Sequence, residues 1–204
     1  MQTFSRIFPG VLFFHVCASI WLAMFLTTSA ADSGTQEGTF TEQAKQLELS
    51  QHRRLLAVKV RPNAKLSKFS TDGCSGGLSV GWDYLGSAVT KFQSAHGTHP
   101  PWENCCVAHD RLYHAARTSH GDEEESYTAR LQADIGLKSC VREVGNSRTN
   151  QLSDAYGLSG KETAAIYKQI SELMFLAVRL GGMPCSGLSW RWGFGWPSCR
   201  SIEQ

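Results

Sequence analysis

Apolar positions along this chain recur mostly at helical spacing, and no long alternating run predicts a strand. The first apolar stretch, Val11 to Leu26, is continuous rather than periodic. It follows Arg6 and precedes the small residues Thr28, Ser29, Ala30 and Ala31. It is shorter than the ~20 residues that span a bilayer, so residues 1–30 predict a cleaved secretory signal and an exported chain. Residues 41–60 predict a helix that Pro62 breaks, inside an N-terminal segment, 31–65, that is partly helical or flexible. A second helical pattern runs from Trp102 to Arg117. A third runs from Asp122 to Val144, with Glu125 placed to reciprocate the Asp122 cap. Residues 145–158 predict a polar loop. Ser159 and Glu162 then open a fourth helix, whose Ile166, Ile170, Leu173, Ala177 and Leu180 predict the buried face. Gly181, Gly182 and Pro184 end it.

Composition narrows the function more than the fold. With 42% hydrophobic residues, 19% charged residues and a formal charge of +2, the 204-residue chain is neither disordered nor strongly basic, and nucleic-acid binding is not indicated. Cysteine changes the picture. Cys17 lies in the leader, which leaves Cys74, Cys105, Cys106, Cys140, Cys185 and Cys199. An even set in an exported chain predicts three disulfides, and spacing alone does not choose the pairing.

The chemistry-bearing segment is Cys105-Cys106-Val107-Ala108-His109-Asp110-Arg111-Leu112-Tyr113. On a helix, Cys106, Asp110 and Tyr113 share one face, and Cys105, His109 and Leu112 the neighbouring one. Adjacent cysteines point apart, so they would pin this helix to two different elements and make it a rigid platform for His109. Zinc held by Cys105, Cys106, His109 and His114 is the rival reading. Neighbouring cysteines on a helix are poorly placed to share one tetrahedral ion.

This segment resembles the Cys-Cys-x-x-His-Asp-x-x-Tyr helix of secreted phospholipases A2, as a divergent member of group XII-like or microbial type. Two further elements follow the family's order. Asp134 stands six residues before Cys140, and Asp72-Gly73-Cys74-Ser75-Gly76-Gly77 looks like a shortened calcium loop. The resemblance covers residues 71–144. The loop departs from the family pattern in keeping a single Cys and in carrying Ser75 where Gly is usual.

The resemblance implies a small disulfide-linked helical domain, residues 66–204, with a calcium loop and two long antiparallel active-site helices. It implies calcium-dependent hydrolysis of the sn-2 ester of glycerophospholipids. His109 would be the general base for water, Asp134 its orienting partner and Tyr113 the holder of that pair. Asp110 would bind Ca2+ with carbonyls of Gly73, Ser75 and Gly77, and the Ser75 N–H would help the oxyanion. These roles suit the residue types. A histidine titrates near neutrality, a buried carboxylate fixes its tautomer, and calcium takes hard oxygens. The family pairing implies Cys74–Cys106 and Cys105–Cys140, which leaves Cys185–Cys199. The partner implied is a phospholipid membrane surface; a catalytically weak module of toxin or binding type is the alternative. Trp190, Trp192, Phe194 and Trp196 alternate with Gly193 and Gly195 in the last loop. They predict an interfacial anchor with Arg191 and Arg200 near head groups, against burial as the rival fate.

Overall fold

The computed structural model describes residues 33–74, 82, 84, 90–118 and 121–199, with the side chains of 33–40 and 90–92 outside that description. Residues 1–30, expected to form the signal, and Ser75, Gly77 and Arg200 therefore lie outside the described residues. Helix α1 spans Ser33–Lys59, α2 Thr90–His96, α3 Glu103–Ala115, α4 Glu123–Ser147, α5 Thr149–Tyr156 and α6 Gly160–Gly181. Among the described residues there is no strand, and no helix is long and apolar enough to cross a membrane. Two units divide the chain, Met1–Ala44 and Lys45–Gln204. The second takes in α1 from Lys45 onward, so the later part of the segment 31–65 belongs to the same unit as α3, α4 and α6.

The capping residues explain where the helices begin. Asp122 Oδ1 accepts the Glu125 amide at 2.7 Å, and Glu125 reaches back to the Gly121 amide at 3.0 Å. Ser159 and Glu162 form a reciprocal capping box at α6. One expectation is corrected here. Residues 149–156, read as a polar loop, form α5, which buries Leu152 alone and closes on left-handed Gly157 (φ 69°). A helix held by one apolar side chain shows no periodicity from which to read it.

α4 packs chiefly along α6 and next along α3. Cys105 is bonded to Cys140, His109 meets Asp134, and Arg130 meets Tyr113, so α3 and α4 run antiparallel. Lys138 and Arg142 pair with Glu172 while Asp134 pairs with Arg179, so α4 and α6 are antiparallel too. One core cluster joins Trp102, Cys105, Cys106, Leu137, Val141, Leu152 and Tyr167. A second joins Leu55, Tyr113, Ala116, Ala133 and Trp192. The disulfides are Cys74–Cys106, Cys105–Cys140 and Cys185–Cys199, which agree with the family pairing and its remainder. They also exclude the zinc reading, because Cys105 and Cys106 have no free thiolate to give.

α6 corrects a second expectation. Its buried residues are Thr163, Tyr167 and Ser171, with Ile170, Met174 and Val178 partly buried beside them. Ile166, Leu173 and Leu180 face outward, the last two 68% and 71% exposed. On the inward stripe Ser171 donates to the Lys168 carbonyl and the Tyr167 hydroxyl accepts from Arg148, both at 2.8 Å, so polarity read from composition pointed to the wrong face.

The loop 185–199 corrects a third. Trp192 is 2% exposed and donates its indole N–H to Ser126 Oγ at 3.1 Å; Trp196 donates to the Ala115 carbonyl at 2.9 Å. Main-chain amides of Gly193 and Gly195 bond the carbonyls of Tyr113 and His114 at 2.7 and 3.1 Å. Arg191 is buried and donates to the Trp196 carbonyl at 3.1 Å. The loop plugs the C-terminal end of α3, and Trp192 and Arg191 are buried in it rather than presented at the surface. Gly195 fits because a Cβ there would meet the His114 ring at 2.5 Å. His114 is buried between Phe69 and Phe194.

Candidate functional site

The site begins with one turn of α3. His109, Asp110 and Tyr113 are all buried there. The turn is clamped at its start, where Cys105 ties it to α4 and Cys106 to the segment ending in Cys74. His109 Nε2 lies 2.9 Å from Asp134 Oδ1, and the Tyr113 hydroxyl donates to the same oxygen at 2.6 Å. With Asp134 wholly buried and accepting on that side, the Nε2 position carries the proton. Nδ1 is then left as a lone pair. Its nearest carboxylate, Asp110 Oδ1, is 3.9 Å away, beyond hydrogen-bond reach.

Electrostatics favour a protonatable ring. Burial opposes charge on His109, but the carboxylates of Asp110 and Asp134 outweigh it and hold its pKa above the ordinary histidine value. Burial pushes the Tyr113 phenol up, so it stays a hydroxyl donor. Gly182 lets the start of the last loop pass close by: a Cβ there would meet the Tyr113 hydroxyl at 2.9 Å.

Asp110 faces the segment before Cys74. Its Oδ2 accepts from the Thr71 hydroxyl at 2.6 Å, and Thr71 Oγ1 accepts from the Gly73 amide at 3.1 Å. Gly73 has φ 81°, a left-handed conformation that glycine adopts freely. Ser70, Thr71, Asp72, Asp110 and Ser189 line a cavity of about 290 Å³ beside it, with Trp190 and Phe194. These are hard oxygen donors of the kind that suits calcium rather than a thiophilic metal. Among the described residues no group of three His, Cys, Asp or Glu is placed to hold a metal ion, so a cation here would lean on hydroxyl and main-chain oxygens beside Asp110. Ser75 and Gly77, expected to supply two of these, lie outside the described residues.

On its other side the site opens to an apolar cavity of about 180 Å³. Leu137, Met174, Ala177, Val178 and Trp190 line it together with His109 and Asp110. Leu173, Leu176 and Leu180 are exposed on the same stretch of α6.

Four residues that sequence reasoning passed over complete the buried polar region. Arg179 Nη1 donates to Asp134 Oδ2 at 3.0 Å and its Nη2 to Glu48 Oε2 at 2.6 Å. Arg130 donates to Glu48 through Nη1 and to the Tyr113 hydroxyl through Nε at 3.1 Å. His52, four residues after Glu48, bonds Ser126 Oγ at 2.7 Å. The spacing of Arg130 to Asp134 and of Glu48 to His52 is the one available signal, since both pairs share a helix face.

No family model, no curated protein and no solved structure matches this chain.

Proposed function

We propose that this chain is a calcium-dependent hydrolase of the sn-2 ester of glycerophospholipids. The observation that carries the reading is the buried pair of His109 and Asp134 at 2.9 Å, with Nδ1 unbonded beside Asp110 and an apolar cavity alongside. In this reading Nδ1 takes a proton from water as the water attacks the ester carbonyl, and the imidazolium returns that proton to the glycerol oxygen as the sn-2 C–O bond breaks. Asp134 keeps the ring in the Nε2–H tautomer and balances the imidazolium that forms. Tyr113 holds Asp134 through the attack. Asp110 and the oxygens of Gly73, Ser75 and Gly77 are the groups that would hold calcium, with the Ser75 N–H near the oxyanion. When bound, the cation supplies positive charge at the ester carbonyl. The apolar cavity would receive the acyl chain. The exposed Leu173, Leu176 and Leu180 of α6, rather than the Trp loop, would meet the phospholipid surface.

The test is fatty-acid release from mixed phospholipid liposomes, with calcium or with chelator. Release is expected with calcium only. His109→Gln should lower turnover by about 10²–10⁴-fold with the fold intact, and Asp110→Lys should remove calcium dependence and activity together. Full activity in chelator overturns the reading. Calcium-dependent liposome binding with no release supports the binding-module alternative instead.

A further inference from the structure

Asp134 is held on both oxygens, and the second hold comes from outside the α3–α4 pair. Oδ1 accepts from His109 and Tyr113, and Oδ2 accepts from Arg179. A carboxylate bonded through one oxygen can swing about its Cβ–Cγ bond; one bonded through both cannot. The hold is itself closed into a ring. Arg179 passes to Glu48, Glu48 to Arg130, Arg130 to the Tyr113 hydroxyl, and Tyr113 back to Asp134. Arg130 also caps the end of α6 by donating to the Val178 and Arg179 carbonyls at 2.7 and 2.8 Å. Two carboxylates face two guanidiniums, so the ring is charge-balanced. Its members come from α1, α3, α4 and α6.

Resting on the hydrolase reading above, we propose that Arg179, braced by Glu48 of α1, is a positioning residue: it fixes the Asp134 carboxylate against His109 Nε2 and so aims Nδ1 at the attacked carbonyl. The competing role is a fold anchor that only neutralises buried charge. The two roles separate in the double variant Glu48→Gln/Arg179→Met, which removes one charge of each sign and keeps the region neutral. Charge balance alone predicts that this variant regains both stability and turnover. Positioning predicts that it regains stability and not turnover.

The full chain, Arg179→Met, Arg179→Lys and the double variant are compared by liposome hydrolysis and by thermal unfolding. The exchange rate of the His109 Nε2 proton is read by ¹⁵N-histidine NMR. Arg179→Met is expected to lower kcat by about 10–100-fold, the scale felt when an outer partner of a working group is removed, with KM little changed. The imidazole proton should exchange at least about tenfold faster, in keeping with that loss. Arg179→Lys should recover part of both, because an ammonium can meet Asp134 but cannot bridge to Glu48 as a planar fork does. Wild-type kcat and slow proton exchange in the double variant would overturn the proposal. If Arg179→Met does not fold, the double variant alone decides. If the unmodified chain releases no fatty acid, the hydrolase reading fails, and proton exchange still decides whether Arg179 positions Asp134.

Discussion

Along one pair of helices, α4 and α6, the protein is built in two different ways. Toward Val141 and Tyr167 an apolar cluster packs: Trp102, Leu137, Leu152 and the Cys105–Cys140 disulfide lie there. Two turns back along α4, Arg130 and Asp134 face Arg179, and Glu48 joins them. Apolar burial is non-directional and tolerates small shifts, and it contributes stability in proportion to the area removed from water. Buried charge does the reverse. It costs desolvation and gives little net stability, but each bond has an angle and a length that the fold must meet. The His109 ring sits at the charged end. Orientation is what an acid–base pair needs, so the demanding end is where the candidate chemistry lies and the apolar end is what holds it in place.

That division gives a largest expected effect. Arg130→Met leaves Glu48 buried with one partner fewer and removes the donor to Tyr113, and breaking a buried charge set this way costs about 3–5 kcal/mol. Urea unfolding monitored by circular dichroism should show the drop. A stability equal to that of the unmodified chain would mean that the charged end carries no structural weight. At the other end, Leu152→Ala empties a buried site and should cost about 2–5 kcal/mol. Turnover per folded molecule should not change, because Leu152 touches none of the polar ring. A fall in turnover per folded molecule would break the separation of the two ends.

The same contrast explains which parts were legible in the sequence. The starts of α4 and α6 were readable because capping is local: Asp122 with Glu125 and Ser159 with Glu162 announce themselves at fixed spacing. His109, Asp110, Tyr113 and Asp134 were readable because cysteines mark their helices. The ring was not. Glu48, Arg130 and Arg179 are charged, and charged side chains are mostly solvated. Glu48 is separated from Arg179 by 131 residues, so nothing local announces the pair. The face of α6 was misread for a related reason. Its leucines point outward, while Thr163 and Ser171 lie inside. Those exposed leucines break the usual rule at a place where the proposed substrate surface would cover them.

The Cys105–Cys140 disulfide offers a smaller effect at the apolar end. Replacing both cysteines by serine should cost about 2–4 kcal/mol, since the bond closes a loop across 35 residues of sequence separation. The start of α3 is then held by Cys106 to Cys74 and by packing of Trp102. Turnover of the folded fraction should fall less than it does in Arg179→Met. A larger fall would show that the staple, and not the charged ring, sets the orientation of His109.

The smallest effect is expected from protons at the charged end. Burial holds His52 below its ordinary value; Glu48 pulls the other way, and the charges of Arg130 and Arg179 add to the lowering. A base with a lowered folded pKa binds protons more readily when unfolded. Its contribution is complete above the ordinary value of 6.5 and is lost as pH falls from there toward the folded pKa. Glu48 is lowered as well, because His52, Arg130 and Arg179 outweigh the cost of its burial. Its contribution is present above 4.5 and is lost as pH falls through the lowered value. His109 acts with the opposite sign: its raised pKa gives stability below 6.5 that is lost as pH rises through the raised value. Comparing the unmodified chain with His52→Gln isolates the first window. Between pH 6.5 and 5 the unmodified chain should lose unfolding free energy on acidification more steeply than His52→Gln, while Leu152→Ala keeps the unmodified slope. Equal slopes in the unmodified chain and His52→Gln would mean that His52 accepts its proton inside the fold without strain, and the charged end would then be more adaptable than its bonding implies.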